Sequence, residues 1–439
     1  MNGDRLDWTS SPSSALHGEV LVPGDKSISH RAIMLAAIAE GTSRITGFLE
    51  GEDTLATAHA FALMGVDIES PRNSKRVVQG VGLYGLHRPD APIDCGNAGT
   101  GMRLLMGLLA GQRFDSTLIG DESLSRRPMR RVIDPLSRMN AHIDSNNGLP
   151  PLRVRGNQTL AGIRYEVPIA SAQVKSAILL AGLYARGETE VIEPHPTRDY
   201  TESMLSAFGF PIEFSAGHAK VTGGRPLRAA DVDVPADFSS AAFFMVAATI
   251  VPGSELTIRN VGLNPRRIGL LHVLRLMGAD IREANSRIVG GERIGDLIVR
   301  SAQLRGIDVP AEHVPDMIDE FPILFVAAAV AQGATRVTGA AELRVKESDR
   351  IAVMAAGLRK LGIAVEETPD GAIIQGGKLT RGNVTSAGDH RCAMSFAVAG
   401  LVCDDAITIE DCANVATSFP DFLALANSVG FAMADANRT

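Results

Sequence analysis

The sequence predicts an α/β protein of two lobes, each containing three copies of a small αβ unit. First, a polar and often glycine-bearing loop precedes an alanine-rich apolar helix about six times along the chain. Second, each of these helices leads through a short turn into a strand of small and β-branched residues, and a second helix follows. Third, 439 residues exceed what one hydrophobic core normally organises, which favours two domains.

The apolar helices mark the six repeats, and the segments that contain them begin at Arg31, Met102, Val174, Ala241, Pro322 and Arg391. A spacing of roughly 70 residues is longer than a solenoid repeat, so each copy is interpreted as a small subdomain. Three copies precede Pro235 and three follow it. The predicted lobes are residues 25–236 (lobe II) and residues 1–24 with 237–439 (lobe I), and the strand expected near residues 16–22 joins lobe I.

The amino-acid composition argues against some classes of binding partner and cellular location. The chain carries 43 basic and 50 acidic side chains, a net charge of −7, which argues against a nucleic-acid partner held by bulk charge. A local arginine cluster still attracts a small anion. No run reaches the ~18 apolar residues of a membrane helix. The N-terminus lacks a signal core, and the four cysteines lack CxxC or metal-like spacing, so we expect a reducing, cytoplasmic location without disulfides or a metal site.

The polar loops before the helices contain the candidate functional residues. Free N–H groups and the helix dipole favour anions at a helix N-terminus, so each loop is a candidate anion site. The first-half loops are PGDKSISHR from Pro23, DCGNAGTGMR from Asp94, GDESLSRRPMRR from Gly120, SAQVK from Ser171 and TRDY from Thr197. The second-half loops are PDMIDEFP from Pro315, ELRVKESDR from Glu342 and GDHR from Gly388.

Each loop also has a structural interpretation. The arginines of 126–131 are typical of a solvated helix face, the glycines of 94–103 of an ordinary turn, and the acid–base clusters of structural ion pairs. Because the loops stand at equivalent places in the repeats, we expect their polar residues to converge on one cleft that binds small anions.

The sequence does not support the nucleotide-binding and catalytic motifs of other protein classes. PGDKS lacks the leading glycine of a nucleotide-binding P-loop, and the GxGxxG match at Gly80 is followed by LHRP rather than by a helix. HExxH, GxSxG and CxxC are absent from the sequence, which argues against a zinc protease, a serine hydrolase and dithiol chemistry.

The loops resemble those of the EPSP synthase family, the 3-phosphoshikimate 1-carboxyvinyltransferases. The shared motifs occur in the family's order and span about residues 16–425: PGDKSISHRA, GNAGTGMR, RPM, SAQVKSA, TRDY, RVKESDR, DHRCAMSF and TSFPDF. The resemblance implies an enolpyruvyl transferase fold of two lobes, each built from three βαβαββ units around a pseudo-threefold axis.

The resemblance also implies the reaction, transfer of the enolpyruvyl group of phosphoenolpyruvate to the 5-hydroxyl of shikimate 3-phosphate, on the path to chorismate and aromatic amino acids. Carried over by motif, it assigns shikimate 3-phosphate to Lys26, Ser27, Arg31, Ser171, Ala172, Gln173, Arg198, Asp319 and Lys346. It assigns phosphoenolpyruvate to Lys26, Asn97, Gly99, Thr100, Arg127, Gln173, Arg350 and Arg391.

The expected chemistry is addition followed by elimination, which needs an acid and a base. Asp319 is the candidate base at the 5-hydroxyl, and Glu347 and Lys26 are the candidates for proton transfer at the enolpyruvyl carbon and the leaving phosphate. The resemblance implies no metal and no organic cofactor, and we expect a monomer.

Some residues depart from the commonest family pattern. Ala172 stands where many members have serine, Thr417 where many have lysine, and Asp25 where many have serine. These choices resemble the second subgroup, whose best-known members tolerate the inhibitor glyphosate. Those members have alanine where this chain has Gly99, so we expect glyphosate to inhibit this protein.

The sequence leaves two alternative functions open. The same fold transfers enolpyruvyl groups to UDP-N-acetylglucosamine in a family that typically carries a reactive cysteine in the loop matching residues 120–128, and that loop has no cysteine here. A non-catalytic anion-binding relative is the other alternative.

Overall fold

The computed structural model describes residues 6–69 and 74–437, which form two compact units. The central unit comprises Gly24–Val234 with Val289–Glu292, and the terminal unit comprises residues 6–23, Pro235–Ile288 and 293–437. Each unit has its own hydrophobic core. The division into lobes at 24/25 and 236/237 stays a prediction. The unit boundaries at 23/24 and 234/235 lie within two residues of it, and Val289–Glu292, which fall in predicted lobe I, belong to the central unit.

Two strands begin the described chain: β1 (Trp8–Ser11) and β2 (His17–Val20). The central unit then contains α1 (Lys26–Ile38), β3 (Ala39–Thr46), α2 (Glu52–Leu63), β4 (Asp67–Glu69), β5 (Arg76–Val81), β6 (Ile93–Asp94), α3 (Gly99–Ala110), β7 (Ser116–Ile119), α4 (Glu122–Ser125), α5 (Arg130–Arg138), β8 (Ile143–Asn146), β9 (Leu149–Val154), β10 (Arg164–Glu166), α6 (Ala172–Gly182), β11 (Glu188–Ile192), α7 (Tyr200–Ala207), β12 (Ile212–Ser215), β13 (His218–Thr222), β14 (Leu227–Arg228) and β15 (Val232–Asp233).

The rest of the terminal unit contains α8 (Phe238–Ile250), β16 (Glu255–Gly262), α9 (Gly269–Leu276), β17 (Asp280–Val289), β18 (Glu292–Arg300), α10 (Phe321–Ala329), β19 (Ala334–Val337), α11 (Arg350–Lys360), β20 (Val365–Thr368), β21 (Gly371–Gln375), β22 (Asn383–Thr385), α12 (His390–Gly400), β23 (Ile407–Glu410), α13 (Phe422–Ser428) and β24 (Ala432–Asp435). Short 3-10 turns cover Ala311–His313, Pro315–Met317, Ala341–Val345 and Ala413–Thr417.

The strands of the described residues form six small sheets, three in each unit. Those of the central unit have the orders β14-β3-β5-β4, β6-β7-β9-β8 and β10-β11-β13-β12. Those of the terminal unit have the orders β17-β18-β16-β2, β19-β21-β20 and β22-β23-β1-β24. The strand after a buried helix, such as β7 or β11, pairs in parallel on one side and antiparallel on the other. The predicted α/β repeat fold is therefore confirmed.

The N-terminal strands belong to sheets of the terminal unit. The predicted strand near residues 16–22 is β2, and it pairs in parallel with β16. The sequence interpretation missed β1, which pairs antiparallel with both β23 and β24. Only Trp8 marks this polar segment as a buried strand, and serine and threonine supply its other side chains, so the hydrophobic pattern is weak.

The repeat helices α1, α3, α6, α8, α10 and α12 are buried along most of their length. Their alanines and glycines let backbones approach closely. A Cβ on Gly107 of α3 would lie 2.1 Å from the Ala177 carbonyl oxygen of α6, so only glycine fits this crossing. Within the described ranges, we find no helix with the length and apolar character needed to cross a membrane.

Candidate active site

The first predicted cluster lies at the N-terminus of α1. Asp25 caps the helix and accepts a hydrogen bond from the Ile28 N–H at 2.8 Å. Lys26 is the first residue of α1, and its Nζ lies 3.0 Å from Oδ2 of Asp53 on α2. The Lys26 side chain keeps 19% of its surface exposed. The ion pair therefore fixes an ammonium group that remains open to a ligand.

Arg31 lies one turn further along α1 and is buried. Its guanidinium donates to Thr201 Oγ1 at 2.7 Å, to Ser176 Oγ at 2.7 Å and to the Ser27 carbonyl oxygen at 2.9 Å. Burial and the nearby charge of Arg198 lower the pKa of Arg31 to about 10. These three acceptors are uncharged, so an anion close to Arg31 and Arg198 would be stabilised by both guanidinium groups.

Gln173 joins the N-termini of α3 and α6. Its Nε2 donates to Thr100 Oγ1 at 2.8 Å, and its Oε1 accepts from Arg103 Nη1 at 2.9 Å. Gly99 begins α3, and a Cβ added there would lie 3.0 Å from Nη1 of Arg103 and 3.0 Å from Nη1 of Arg127. The Gly99 backbone therefore lies against two guanidinium groups, as a site for an anionic ligand requires.

Arg127 is the buried member of the arginine-rich loop. Arg126 and Arg130 are exposed, in agreement with a solvated face, but Arg127 is 7% exposed and its Nη2 donates to Asn97 Oδ1 at 2.6 Å. Asn97 in turn donates to Asp121 Oδ2 at 2.7 Å. The structural interpretation therefore holds for the outer arginines and not for Arg127, which turns toward the start of α3.

Ser171 is the N-cap of α6, and its hydroxyl accepts from the Val174 N–H at 3.4 Å. Ala172 and Gln173 form the first turn of the helix. Arg198 lies in the loop before α7 and is partly buried. The N-terminus of α6 thus carries a hydroxyl cap and no carboxylate.

The helix N-termini differ in whether a carboxylate already occupies them. Aspartate side chains cap α1, α4, α8, α11 and α12, and these residues are Asp25, Asp121, Asp237, Asp349 and Asp389. At these helices the aspartate accepts hydrogen bonds from N–H groups that an external anion would otherwise bind. Anion binding at each polar loop stays a prediction. At α3 the N-cap is Ala98 and makes no side-chain cap bond. The starts of α3 and α6 remain suited to an external anion.

In the terminal unit, Arg350 is the centre of a buried ion-pair network. Its Nε lies 2.8 Å from Asp389, its Nη2 2.6 Å from Glu347 and its Nη1 3.4 Å from Asp319. Burial alone would lower the pKa of Arg350, but the three carboxylates outweigh it and raise that pKa above its usual value. Arg350 therefore remains charged, and it fixes the positions of Asp319 and Glu347.

Asp319 lies between three cations, at 3.4 Å from Arg350, 3.6 Å from Lys346 and 3.7 Å from Arg267. Lys346 also pairs with Glu342 at 3.2 Å. The Asp319 and Glu347 side chains keep 17% and 19% of their surface exposed, so both carboxylates are held in place yet remain open to a ligand.

Arg391 lies in the first turn of α12, beside the same aspartate. Its Nη1 donates to the Asp319 carbonyl oxygen at 3.1 Å and lies 3.5 Å from Glu320 Oε1. Glu320 is fully buried and also binds Arg267 at 3.0 Å and the hydroxyl of Ser239. Glu320 thus orients both arginines.

The structure groups the predicted site residues by unit. The central unit holds Lys26, Ser27, Arg31, Asn97, Gly99, Thr100, Arg127, Ser171, Ala172, Gln173 and Arg198. The terminal unit holds Asp319, Lys346, Glu347, Arg350 and Arg391. The convergence of both groups on one cleft stays a prediction. Thr417 donates its hydroxyl to the Asn414 carbonyl oxygen at 2.7 Å, so its side chain already has a partner within its own turn.

Sequence reasoning missed three residues of these networks. Arg103 lies within the motif GTGMR, so the signal was present but its contact with Gln173 was not foreseeable. Arg267 and Glu320 form a buried pair from segments 53 residues apart. Arg267 lies in the polar segment Asn264–Arg267 before α9, but only the tertiary structure brings it to Glu320.

The cysteines do not supply a nucleophile. All four are free and buried. Burial, followed by nearby carboxylates, raises the pKa of Cys95 and that of Cys403 to about 12, so both remain neutral thiols near pH 7.

Comparison with known proteins agrees with the fold and with the motif pattern. The EPSP synthase (3-phosphoshikimate 1-carboxyvinyltransferase) family profile matches residues 10–425. A 3-phosphoshikimate 1-carboxyvinyltransferase from Xanthomonas campestris pv. campestris strain B100 is 63% identical over 434 residues, 99% of each chain. The structure is similar to EPSP synthase from Acinetobacter baumannii, with a TM-score of 0.88, 51% identity and coverage of 98% of this chain and 99% of that chain.

A more distant structural neighbour is the enolpyruvyl transferase NikO from Streptomyces tendae. It has a TM-score of 0.80 at 17% identity and covers 98% of this chain and 99% of its own, which shows a shared fold. The family match over most of the chain decides the identity: the chain belongs to the EPSP synthase family and has the 3-phosphoshikimate 1-carboxyvinyltransferase activity of the shikimate pathway.

Proposed function

We propose that the two substrate phosphates bind at two helix N-termini that lack a carboxylate cap, those of α3 and α6. The phosphate of shikimate 3-phosphate lies at the start of α6, against Ser171, the Ala172 N–H, Gln173 and Arg198. The phosphate of phosphoenolpyruvate lies at the start of α3, against the backbone of Asn97–Thr100 and the guanidinium of Arg127. The other predicted contacts are Lys26, Ser27, Arg31, Asp319 and Lys346 for shikimate 3-phosphate, and Lys26, Gln173, Arg350 and Arg391 for phosphoenolpyruvate.

The observation that carries this proposal is the contrast among the helix caps. Aspartate side chains cap five helix starts, whereas α3 begins without a side-chain cap and α6 has only the Ser171 hydroxyl. A phosphate at such a helix start gains from the free N–H groups and from the dipole. Gln173 contacts residues of the α3 start from α6, which fits a residue shared between two adjoining ligands.

In the proposed mechanism, Asp319 accepts the proton of the 5-hydroxyl as that oxygen attacks C2 of phosphoenolpyruvate. Glu347 delivers a proton to C3, which gives a tetrahedral intermediate. The Glu347 carboxylate then takes back a proton from C3 as the bond between C2 and the phosphate oxygen breaks, which restores the double bond in the enolpyruvyl product, and Lys26 supplies the proton that the departing phosphate takes up. Lys26, Arg127, Arg350 and Arg391 stabilise the negative charge of the departing phosphate.

Substitution of one arginine at each helix start tests the assignment. Arg198→Gln should weaken shikimate 3-phosphate binding, and Arg127→Gln should raise the KM for phosphoenolpyruvate, each by about 10–100-fold, the value of one hydrogen bond to a charged group. Calorimetric titration of shikimate 3-phosphate and steady-state kinetics measure the two effects separately. Arg186→Gln, at an exposed arginine of the same unit, is the matched control and should change neither. Equal effects of both site variants on both substrates would contradict the assignment.

We also propose that the protein belongs to the second subgroup of the family yet is inhibited by glyphosate. Its Ser171-Ala172-Gln173 sequence and Thr417 support the subgroup, and Gly99 supports the inhibition. A methyl at residue 99 would lie 3.0 Å from two guanidinium groups and would have to displace them. The smaller phosphoenolpyruvate tolerates that loss of room better than the longer inhibitor.

We expect glyphosate to inhibit the wild-type protein competitively with phosphoenolpyruvate, and Gly99→Ala to weaken the inhibitor far more than the substrate. Steady-state inhibition constants and KM values measure both effects. Gly101→Ala is the control for the position of the added methyl, because that methyl would meet Thr57 and His30 rather than the guanidinium groups. It should not weaken the inhibitor more than the substrate. A wild-type protein that stays active at glyphosate concentrations far above the KM for phosphoenolpyruvate would rule out Gly99 as the deciding residue.

We also propose that the protein is a monomer and that it is cytoplasmic. All predicted contacts come from one chain, so no second copy is required, and four free, buried cysteines suit a reducing compartment. Light scattering of the purified protein and fractionation of the source cells test the two statements.

A further inference from the structure

The central unit contains a buried cluster of one lysine and two glutamates that the reaction does not use. Lys175 on α6 lies 2.7 Å from Glu193 and 2.8 Å from Glu202 of α7. The three side chains are 3%, 0% and 2% exposed. We refer to Lys175, Glu193 and Glu202 as the lysine–glutamate cluster. Such a set of charges is costly to bury, and this one contains more acid than base.

The cluster does not complete its own hydrogen bonds. Within the described part of the chain, Oε2 of Glu202 is buried and has no hydrogen-bond partner. Burial, opposed by the charge of Lys175, raises the pKa of Glu202 above its usual value. Apolar residues of similar size would commonly give equal or greater stability at such a position. Stability alone therefore does not explain the cluster.

The cluster instead holds the loop that carries Arg198. Glu193 accepts from the Thr197 N–H at 3.3 Å and from the Thr197 hydroxyl at 2.5 Å. Lys175 donates to the Thr197 carbonyl oxygen at 3.4 Å. All three polar groups of Thr197 are therefore bound by the cluster, and Arg198 is the next residue.

A second set of contacts runs beside the cluster. Ser176 and Thr201, the chain neighbours of Lys175 and Glu202, share a hydrogen bond of 2.7 Å. Arg31 donates to both hydroxyls, at 2.7 Å each. These contacts fix the start of α7 to α6 and to α1. The loop before α7 is therefore held at two points, at Thr197 and at the start of α7, and Arg198 lies between them.

We propose that the lysine–glutamate cluster is a positioning device for Arg198: by binding every polar group of Thr197, it holds the neighbouring guanidinium where it meets the phosphate of shikimate 3-phosphate. This inference rests on the proposed function of Arg198. Glu193, Lys175 and Thr197 are positioning residues and do not contact the substrate.

Glu193→Gln tests the proposal with little change in volume, and it leaves the Lys175–Glu202 pair in place. We expect the dissociation constant of shikimate 3-phosphate to rise about ten-fold, the scale of a misplaced binding group, while the affinity for unphosphorylated shikimate and kcat at saturation stay within about two-fold. Calorimetry and steady-state kinetics measure these values. Glu190→Gln is the matched control, since Glu190 lies on β11, which ends one residue before Glu193, and pairs with His218 at 3.0 Å. It should bind both ligands as the wild type does.

Arg198→Gln separates this proposal from the function on which it rests. If Arg198→Gln leaves shikimate 3-phosphate binding unchanged, the assignment of Arg198 is wrong. If Arg198→Gln weakens binding but Glu193→Gln does not, the assignment stands and the positioning role is overturned. Equal loss of shikimate and shikimate 3-phosphate in Glu193→Gln would also overturn it.

The double variant shows whether the two residues act together. In the Arg198→Gln background, Glu193→Gln should add less than about two-fold, because coupled residues are not additive. A further ten-fold loss would overturn the proposal. Should Glu193→Gln fail to fold, Thr197→Val removes only one hydroxyl donor to Glu193 and should still weaken shikimate 3-phosphate more than shikimate.

Discussion

Replacing Asp319 by Asn or Glu347 by Gln should lower kcat by about 100-fold or more, because each change removes a group that transfers a proton. Both substitutions keep the shape of the side chain, so shikimate 3-phosphate should still bind. Turnover is measured as phosphate release at saturating substrates, and binding by calorimetry. The carboxylates of Asp319 and Glu347 lie 3.4 Å and 2.6 Å from the Arg350 guanidinium, which holds them in place when the free protein meets its substrates.

Asp316→Asn is the control for this pair. Asp316 precedes Asp319 by three residues and pairs with Arg266 at 3.6 Å. It should keep near-normal turnover. If Asp319→Asn and Glu347→Gln also keep near-normal turnover, neither residue transfers a proton in the rate-determining steps.

Arg350→Met should produce the largest loss of stability, roughly 3–5 kcal/mol of the free energy of unfolding, because it leaves buried carboxylates without their common partner. Asp389 is fully buried and loses its ion pair at 2.8 Å. The only tryptophan of the chain, Trp8, is buried in the terminal unit and stacks on Phe422. Urea unfolding followed by tryptophan fluorescence therefore reports on the unit that contains Arg350.

The matched control for stability is Arg359→Met on the same helix. Arg359 is 44% exposed and pairs with Glu367 at 2.9 Å, and an exposed pair contributes only about 0–1 kcal/mol. Equal shifts of the unfolding midpoint in the two variants would show that the Arg350 network does not stabilise the fold.

The sequence predicts the repeat fold well because each helix is apolar and alanine-rich and follows a polar loop. It predicts α6 and its first turn from SAQVKSA, and the structure has the helix at Ala172–Gly182. It misses β1, because that strand takes its partners, β23 and β24, from the far end of the chain. Pairing at such a separation leaves no local pattern.

The candidate site, like the fold, can be predicted from the sequence only in part. The motifs identify Lys26, Arg127 and Arg350, because each lies in a polar loop at or near a helix start. They do not tell which helix starts are already filled by an aspartate, since Asp25 and Asp389 look like ordinary loop acids in the sequence. Only the cap geometry separates these helices from α3 and α6.

Phosphate release from phosphoenolpyruvate by the wild-type protein tests the central claim most directly, that the two residue groups serve enolpyruvyl transfer to shikimate 3-phosphate. The measurement compares shikimate 3-phosphate, UDP-N-acetylglucosamine and no acceptor at equal protein concentration. We expect phosphate release only when shikimate 3-phosphate is the acceptor, with one enolpyruvyl product formed for each phosphate released. Release with UDP-N-acetylglucosamine, or binding of shikimate 3-phosphate without any phosphate release, would contradict the claim.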